Sequence, residues 1–191
     1  DGKETFKSLG AWWLRHPQRR SYSTITFAPN REIPGVYNLW RGFSCEAKAG
    51  DCSLYLAHVR DNICSGNAEY YDYVLGWMAN AVQRPDRPGY SALVLRGDQG
   101  TGKTVFAETF GALFGHHFLP ISDSTHLVGH FNAHLRDAVI VFGDEAFYAG
   151  DRKHASVLKM LITSEVIATE AKYRDMSPSK NCVHLIMASD E

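Results

Sequence analysis

The 191-residue chain has no run of eighteen apolar residues, which excludes a membrane-spanning helix. Cysteine is scarce: Cys45, Cys52, Cys64 and Cys182 form no C-x-x-C pair and no metal-finger spacing, so they read as free thiols of a reducing compartment. Excess charge of either sign is also lacking. Lys and Arg total 20 against 21 Asp and Glu, a net charge of −1, so nothing draws the whole chain to nucleic acid or anionic lipid. Any such contact must come from a local patch. Internal repeats and low-complexity tracts are missing too. A first residue of Asp with no basic-then-apolar leader predicts a natural start further upstream.

What is present suits a packed α/β protein: 45% hydrophobic and 12% aromatic residues supply a core, and 21% charged residues a surface. The one composition shift lies at Gln83–Gly89, where two prolines and a glycine stop a helix, so the chain divides into 1–88 and 89–191. In the first part, Tyr22–Phe27 predicts a short strand, Asn30–Gly35 a turn, and Ala68–Val82 a helix capped by Asn67. Its aromatics read as core packing rather than a base-stacking platform. The cluster Arg15, Arg19 and Arg20 reads as a solvated face.

The second part alternates strand and helix: Ala92–Arg96, Phe118–Ile121, Val139–Phe142 and Val183–Met187 as strands, Thr104–Phe114 and Arg152–Thr163 as helices. In the first helix, Val105, Phe106, Phe110, Leu113 and Phe114 are expected on one side, with Gly115 at its end. That order predicts a mostly parallel sheet, preceded by a smaller mixed or helical N-terminal region.

The strongest chemical signal is Gly97-Asp98-Gln99-Gly100-Thr101-Gly102-Lys103-Thr104, a full match to G-x-x-x-x-G-K-[ST] between a strand and a helix. Glycines let the backbone N–H groups curl around phosphates at a helix N-terminus. Lys103 then reaches the β- and γ-phosphates of ATP, and the Thr104 hydroxyl binds Mg²⁺. Asp144-Glu145 closes the apolar strand: Asp144 suits the Mg²⁺, and Glu145 the proton of an attacking water. Ser189 and Asp190 end the last strand, either as a simple polar strand end or, for Asp190, as a sensor of the γ-phosphate. In Val166–Cys182, Ile167, Thr169 and Ala171 alternate with Glu170, Lys172 and Arg174, while Met176–Ser179 reads as turn or loop. Lys172 and Arg174 are thus a solvated face or a hairpin that contacts a nucleic-acid backbone. His126, His130 and His134 repeat at helical spacing but lack the Glu of a zinc motif.

The order of phosphate loop, Asp-Glu strand, lysine-bearing segment and terminal strand resembles the superfamily 3 helicases, the hexameric replication helicases of viruses, phages and plasmids. More closely, the chain is similar to the helicase part of phage-type primase-helicases, in Tyr37–Phe43, Phe131–Leu135, Asp144–Phe147 and Leu158–Thr163. The resemblance implies a P-loop NTPase core of the AAA+ type, with the strand of Asp190 beside the phosphate-loop strand. It implies ATP and Mg²⁺ as cofactors, Glu145 as catalytic base, and single-stranded DNA at Lys172 and Arg174. A ring hexamer, a primase domain in cis and a bacterial host's cytoplasm follow from the same likeness. The family's sensor asparagine is Asp190 here, and its arginine finger and last core strand would lie beyond residue 191, so the core is expected to be C-terminally truncated. A P-loop kinase with a small acceptor, and a nucleotide-dependent assembly module without turnover, are the competing readings.

Overall fold

The computed structural model describes residues 8–123, 132–144, 152–170 and 177–190. The upstream elements are short: α1 (Leu9–Arg15), β1 (Thr24–Thr26), β2 (Val36–Asn38), α2 (Ser53–His58) with a π-helical turn over Val59–Ile63, and α3 (Ala68–Gln83). Only α3 has a pattern strong enough to define it. Asn67 caps it by accepting the Tyr70 N–H at 3.1 Å, and Val74, Trp77 and Ala81 turn to the core. β1 and β2 pair in parallel over three residues each. The connection between them is held by the Asn38 side chain, which accepts from Ala28 N and donates to the Ala28 and Arg31 carbonyls.

Downstream come β3 (Ala92–Arg96), α4 (Lys103–Ala112), β4 (Phe118–Ile121), β5 (Ile140–Asp144), α5 (Arg152–Thr163), β6 (Val166–Thr169), β7 (Ser177–Lys180) and β8 (His184–Ser189). Four of these strands form one parallel sheet in the order β3-β8-β5-β4. The middles of its inner strands, residues 140–142 and 185–188, are apolar because both faces are covered. The pleat sends Ile140, Phe142, Ile186 and Ala188 to one face, with Phe106, Phe110 and Trp77. Val141, Val183 and Leu185 point to the other, with Leu135, Leu161 and Ile167. A fully buried Phe or Ile at these positions contributes about 1.5–3 kcal/mol. The first face draws on both parts of the chain: Phe27, Val59, Cys64, Val74 and Ala81 share its core with Leu93, Phe106 and Phe114.

Three local expectations are corrected. Val105 and Leu113 are exposed, because the apolar stripe that α4 turns inward is Phe106, Ala107 and Phe110, with Phe114 just beyond its end. Of Met176–Ser179, expected as turn or loop, Ser177–Ser179 belong instead to β7, paired antiparallel with β6, and Met176 lies outside the described residues. The upstream aromatics are not uniformly core. Trp77 and Phe27 are, whereas Trp12, Trp13, Tyr22, Tyr70 and Tyr73 are about half exposed. Among the described residues no helix is long and apolar enough to cross a membrane, and the four cysteines are free thiols.

Candidate functional site

The parallel sheet brings three strand ends to one edge. Arg96 of β3 lies opposite Ser189 of β8, and Ala188 lies opposite Asp144 of β5. The loop Gly97–Gly102 leaves β3 at this edge and turns into α4. Gly100 and Gly102 take φ values of +81° and +88°, a left-handed backbone that side chains disfavour. The Thr101 hydroxyl donates to the Asp98 carbonyl at 2.9 Å and closes the loop on itself.

Lys103 is buried under that loop, and its ammonium has three acceptors. Nζ donates to the carbonyls of Gly97 at 2.5 Å and Asp98 at 2.9 Å, and lies 2.7 Å from Asp190 Oδ1. These fill its three N–H bonds. Asp190 thus faces the loop, as its place after β8 predicts, and reaches Lys103 directly. Next to Lys103, the Thr104 hydroxyl donates to Asp144 Oδ2 at 3.3 Å. A hydroxyl and a carboxylate together are the hard oxygen donors that suit Mg²⁺, which keeps several waters and needs few protein ligands. Among the described residues no cluster of three or more His, Cys, Asp or Glu competes as a metal site. Gln99 to Val105, with Asp144 and Asp190, line a cavity of about 270 Å³.

One contact that no motif foretells comes from α2. His58 Nε2 lies 3.1 Å from the Gly102 carbonyl, and its ring occupies the place where a Cβ on residue 102 would be. The Asn62 amide donates to His58 Nδ1 at 2.8 Å, leaving Nε2–H to donate to Gly102. Tyr55 stacks on Phe106 and donates to its carbonyl at 3.1 Å; burial pushes its phenol upward.

Asn132, within the Phe131–Leu135 segment, makes a second contact whose partners the sequence does not indicate. Its side chain donates to Ala168 at 3.0 Å and accepts from Glu170 N at 2.9 Å, tying the end of β6 to the residues that precede β5. Glu145, Lys172, Arg174, His126 and His130 lie outside the described residues. His134 sits in a 3-10 turn over Ala133–Asp137.

Residues 95–191 match the model of a family of unknown function, DUF5906, and the chain belongs to that family. No curated protein matches it in sequence. Among solved structures it is similar to the apo C-terminal region of NrS-1 (305–718), at 23% identity and a TM-score of 0.75. Two A-form apo structures of that region align at 21% and 22% identity with TM-scores of 0.74 and 0.71. In each case 87% of this chain is covered and it spans 42% of the NrS-1 chain. The likeness is one of fold.

Proposed function

We propose that this family member is the ATP-binding and ATP-hydrolysing motor core of a replicative DNA helicase, a P-loop NTPase of the superfamily 3 type. The observation that carries the reading is the meeting of Gly97–Thr104, Asp144 and Asp190 at the C-terminal edge of one parallel sheet. Ligands of open α/β sheets bind at that edge. The likeness of the sequence to phage-type primase-helicases, and the fold shared with the NrS-1 region, support it.

In this reading the loop N–H groups and the α4 N-terminus cradle the phosphates, and Lys103 neutralises the β- and γ-oxygens. Thr104 and Asp144 hold Mg²⁺, which supplies positive charge to the phosphates. Glu145 accepts the proton of the water that attacks the γ-phosphorus as the bond to ADP breaks. Asp190 responds to the γ-phosphate through Lys103. Lys172 and Arg174, which lie between β6 and β7 in the sequence, contact the single-stranded DNA backbone. Residues 1–88 serve assembly and 89–191 the motor; the ring hexamer, the primase domain in cis and the host cytoplasm are proposals for the whole protein.

One observation favours a second reading, an assembly module that binds nucleotide without turnover: Asp190 occupies the lysine that a phosphate needs. Binding and hydrolysis measured side by side separate the two. Lys103→Ala lowers affinity for a fluorescent ATP analogue at least tenfold, about 1.4 kcal/mol. Glu145→Gln still binds but, made in the full-length parent protein, hydrolyses roughly a hundredfold more slowly. Equal binding by the Lys103 variant sinks both readings, and a full-length parent protein that binds ATP but does not hydrolyse it with DNA present selects the second.

A further inference from the structure

From Thr5 to Arg31 the chain carries Lys7, Arg15, Arg19, Arg20 and Arg31 and neither aspartate nor glutamate, although its charges balance overall. The one helix of this stretch, α1, buries none of its residues. Leu9 and Leu14 are 78% and 59% exposed, and Trp12 and Trp13 are each 49% exposed. A seven-residue helix cannot sustain itself in water by its own hydrogen bonds. Two indoles left open on so small an element mark a surface that something covers.

The helical spacing sorts these side chains. Trp12, Arg15 and His16 stand at i, i+3 and i+4 on one face. The Trp12 and His16 rings lie 4.7 Å apart, tilted by 49°. With Ser8, Ala11, Arg15 and Pro17 they wall a hollow of about 270 Å³. Arg19 and Arg20 follow directly in the chain, and the Arg19 guanidinium reaches back to the Leu14 carbonyl at the end of the helix.

We infer that α1 and the turn after it form a docking site for single-stranded DNA, with Trp12 and Trp13 stacking on bases and Arg15, Arg19 and Arg20 on phosphates. Flat aromatic faces interleaved with cations, with no carboxylate to repel a polyanion, are the chemistry that holds single strands without reading their sequence. A second copy of the chain fits poorly, since a two-fold contact through α1 sets the same arginines against one another. The choice of DNA over RNA rests on the motor reading above; the site itself is separate from the β6–β7 hairpin and from the nucleotide cavity.

The test is a nucleotide-free titration of the 191-residue chain with oligo-dT, read by tryptophan fluorescence. Trp77 is buried and Trp40 stacks on His117, so quenching by bases reports on Trp12 and Trp13. Trp12→Ala with Trp13→Ala removes the quench and weakens binding about tenfold or more, judged by anisotropy of labelled oligo-dT. Replacing Arg15, Arg19 and Arg20 by Gln lowers the slope of log K against log salt by about 2, at about 0.7 per phosphate contact. All five side chains are exposed, so the melting temperature stays put. No quench in the wild-type chain overturns the site, as does unchanged affinity in the tryptophan variant. Sedimentation showing a dimer that these substitutions disperse assigns α1 to a second copy instead, and tighter binding of oligo-U assigns it to RNA. A quench that persists in a chain unable to bind ATP leaves this site standing and removes the motor reading alone.

Discussion

Under the proposed ATP-binding function, replacing Asp190 by Asn tests how the cavity is set before ATP arrives. The Asp190 carboxylate lies 2.7 Å from Lys103 Nζ, and the Gly97 and Asp98 carbonyls take the remaining N–H bonds. A γ-phosphate oxygen that reaches this ammonium must displace one of the three acceptors. If it comes in beside Asp190, the two negative groups stand roughly 5 Å apart and repel by about 3 kcal/mol at an effective dielectric of about 20. The Asp190 side chain is 39% exposed, so solvent screens part of this and leaves about 1–2 kcal/mol. Asn keeps the shape, removes the charge and adds an N–H that can donate to the phosphate. It also leaves the empty state with a poorer partner for Lys103, which acts in the same direction. Titration of the variant with a fluorescent ATP analogue should therefore show roughly tenfold tighter binding, about 1.4 kcal/mol. ADP, lacking the third phosphate, should gain less, and in the full-length parent, which would carry the arginine finger, turnover should rise several-fold with little change in Mg²⁺ dependence. Equal gains for ADP and ATP would refute the electrostatic reasoning. Weaker ATP binding with a raised Mg²⁺ requirement would make Asp190 a metal ligand.

Three further outcomes follow from the packing. Gly102→Ala should sharply weaken nucleotide binding, since the new Cβ adopts a left-handed φ at about 1–2 kcal/mol and collides with His58; adding His58→Ala relieves only the collision, and a double-mutant cycle with no coupling would refute the contact. Burial holds the His184 imidazole down to about 4 from its ordinary 6.5, and His117 is lowered by the same cause. Below pH 6.5 the unfolded chain therefore takes protons that the folded one refuses, so urea melts should show stability falling by about 2 kcal/mol between pH 7 and pH 5 from His184 alone; a flat profile over that window would contradict it. A chain that begins at residue 89 loses Phe27, Val59, Val74, Trp77 and Ala81 from the core, about 1.5–3 kcal/mol for each large side chain, and should show no cooperative thermal transition by circular dichroism.

The downstream half was the legible half, and the reason is burial. β3, β4 and α5 run over the spans expected of them because apolar runs or helical periods bounded by Gly, Pro or polar residues define them. Lys103, Thr104 and Asp144 come together because the motif specifies a strand, a turn and a helix whose relative placement the parallel sheet completes. The upstream half lacks such a signal. β1 and β2 are three residues long and depend on Asn38 rather than on alternation. Aromatic identity does not separate Trp77 from Trp12, because exposure depends on what packs alongside. His58 and Asn132 act on partners 44 and 36 positions away, beyond any local pattern.

The His58 contact bears on how the proposed nucleotide cavity is held. The Gly102 carbonyl has two partners: it accepts the Phe106 N–H at 3.0 Å, the first rung of α4, and it faces His58 Nε2 at 3.1 Å. The imidazole is itself fixed by Asn62, which the π-helical turn over Val59–Ile63 carries to within 2.8 Å of Nδ1. Such turns interrupt regular helix and recur at functional sites. A rotation of the Gly102 peptide, as the loop closes on a phosphate, works against the α4 ladder on one side and the His58–Asn62 pair on the other. The loop and α2 therefore share one free-energy balance. If the loop binds nucleotide as proposed, whatever shifts α2 shifts nucleotide affinity, and by reciprocity nucleotide binding shifts α2 by the same amount. The residues before position 89 thus act on the phosphate loop through a hydrogen bond to its last glycine, and a motif confined to residues 97–104 is completed by a histidine that lies outside it.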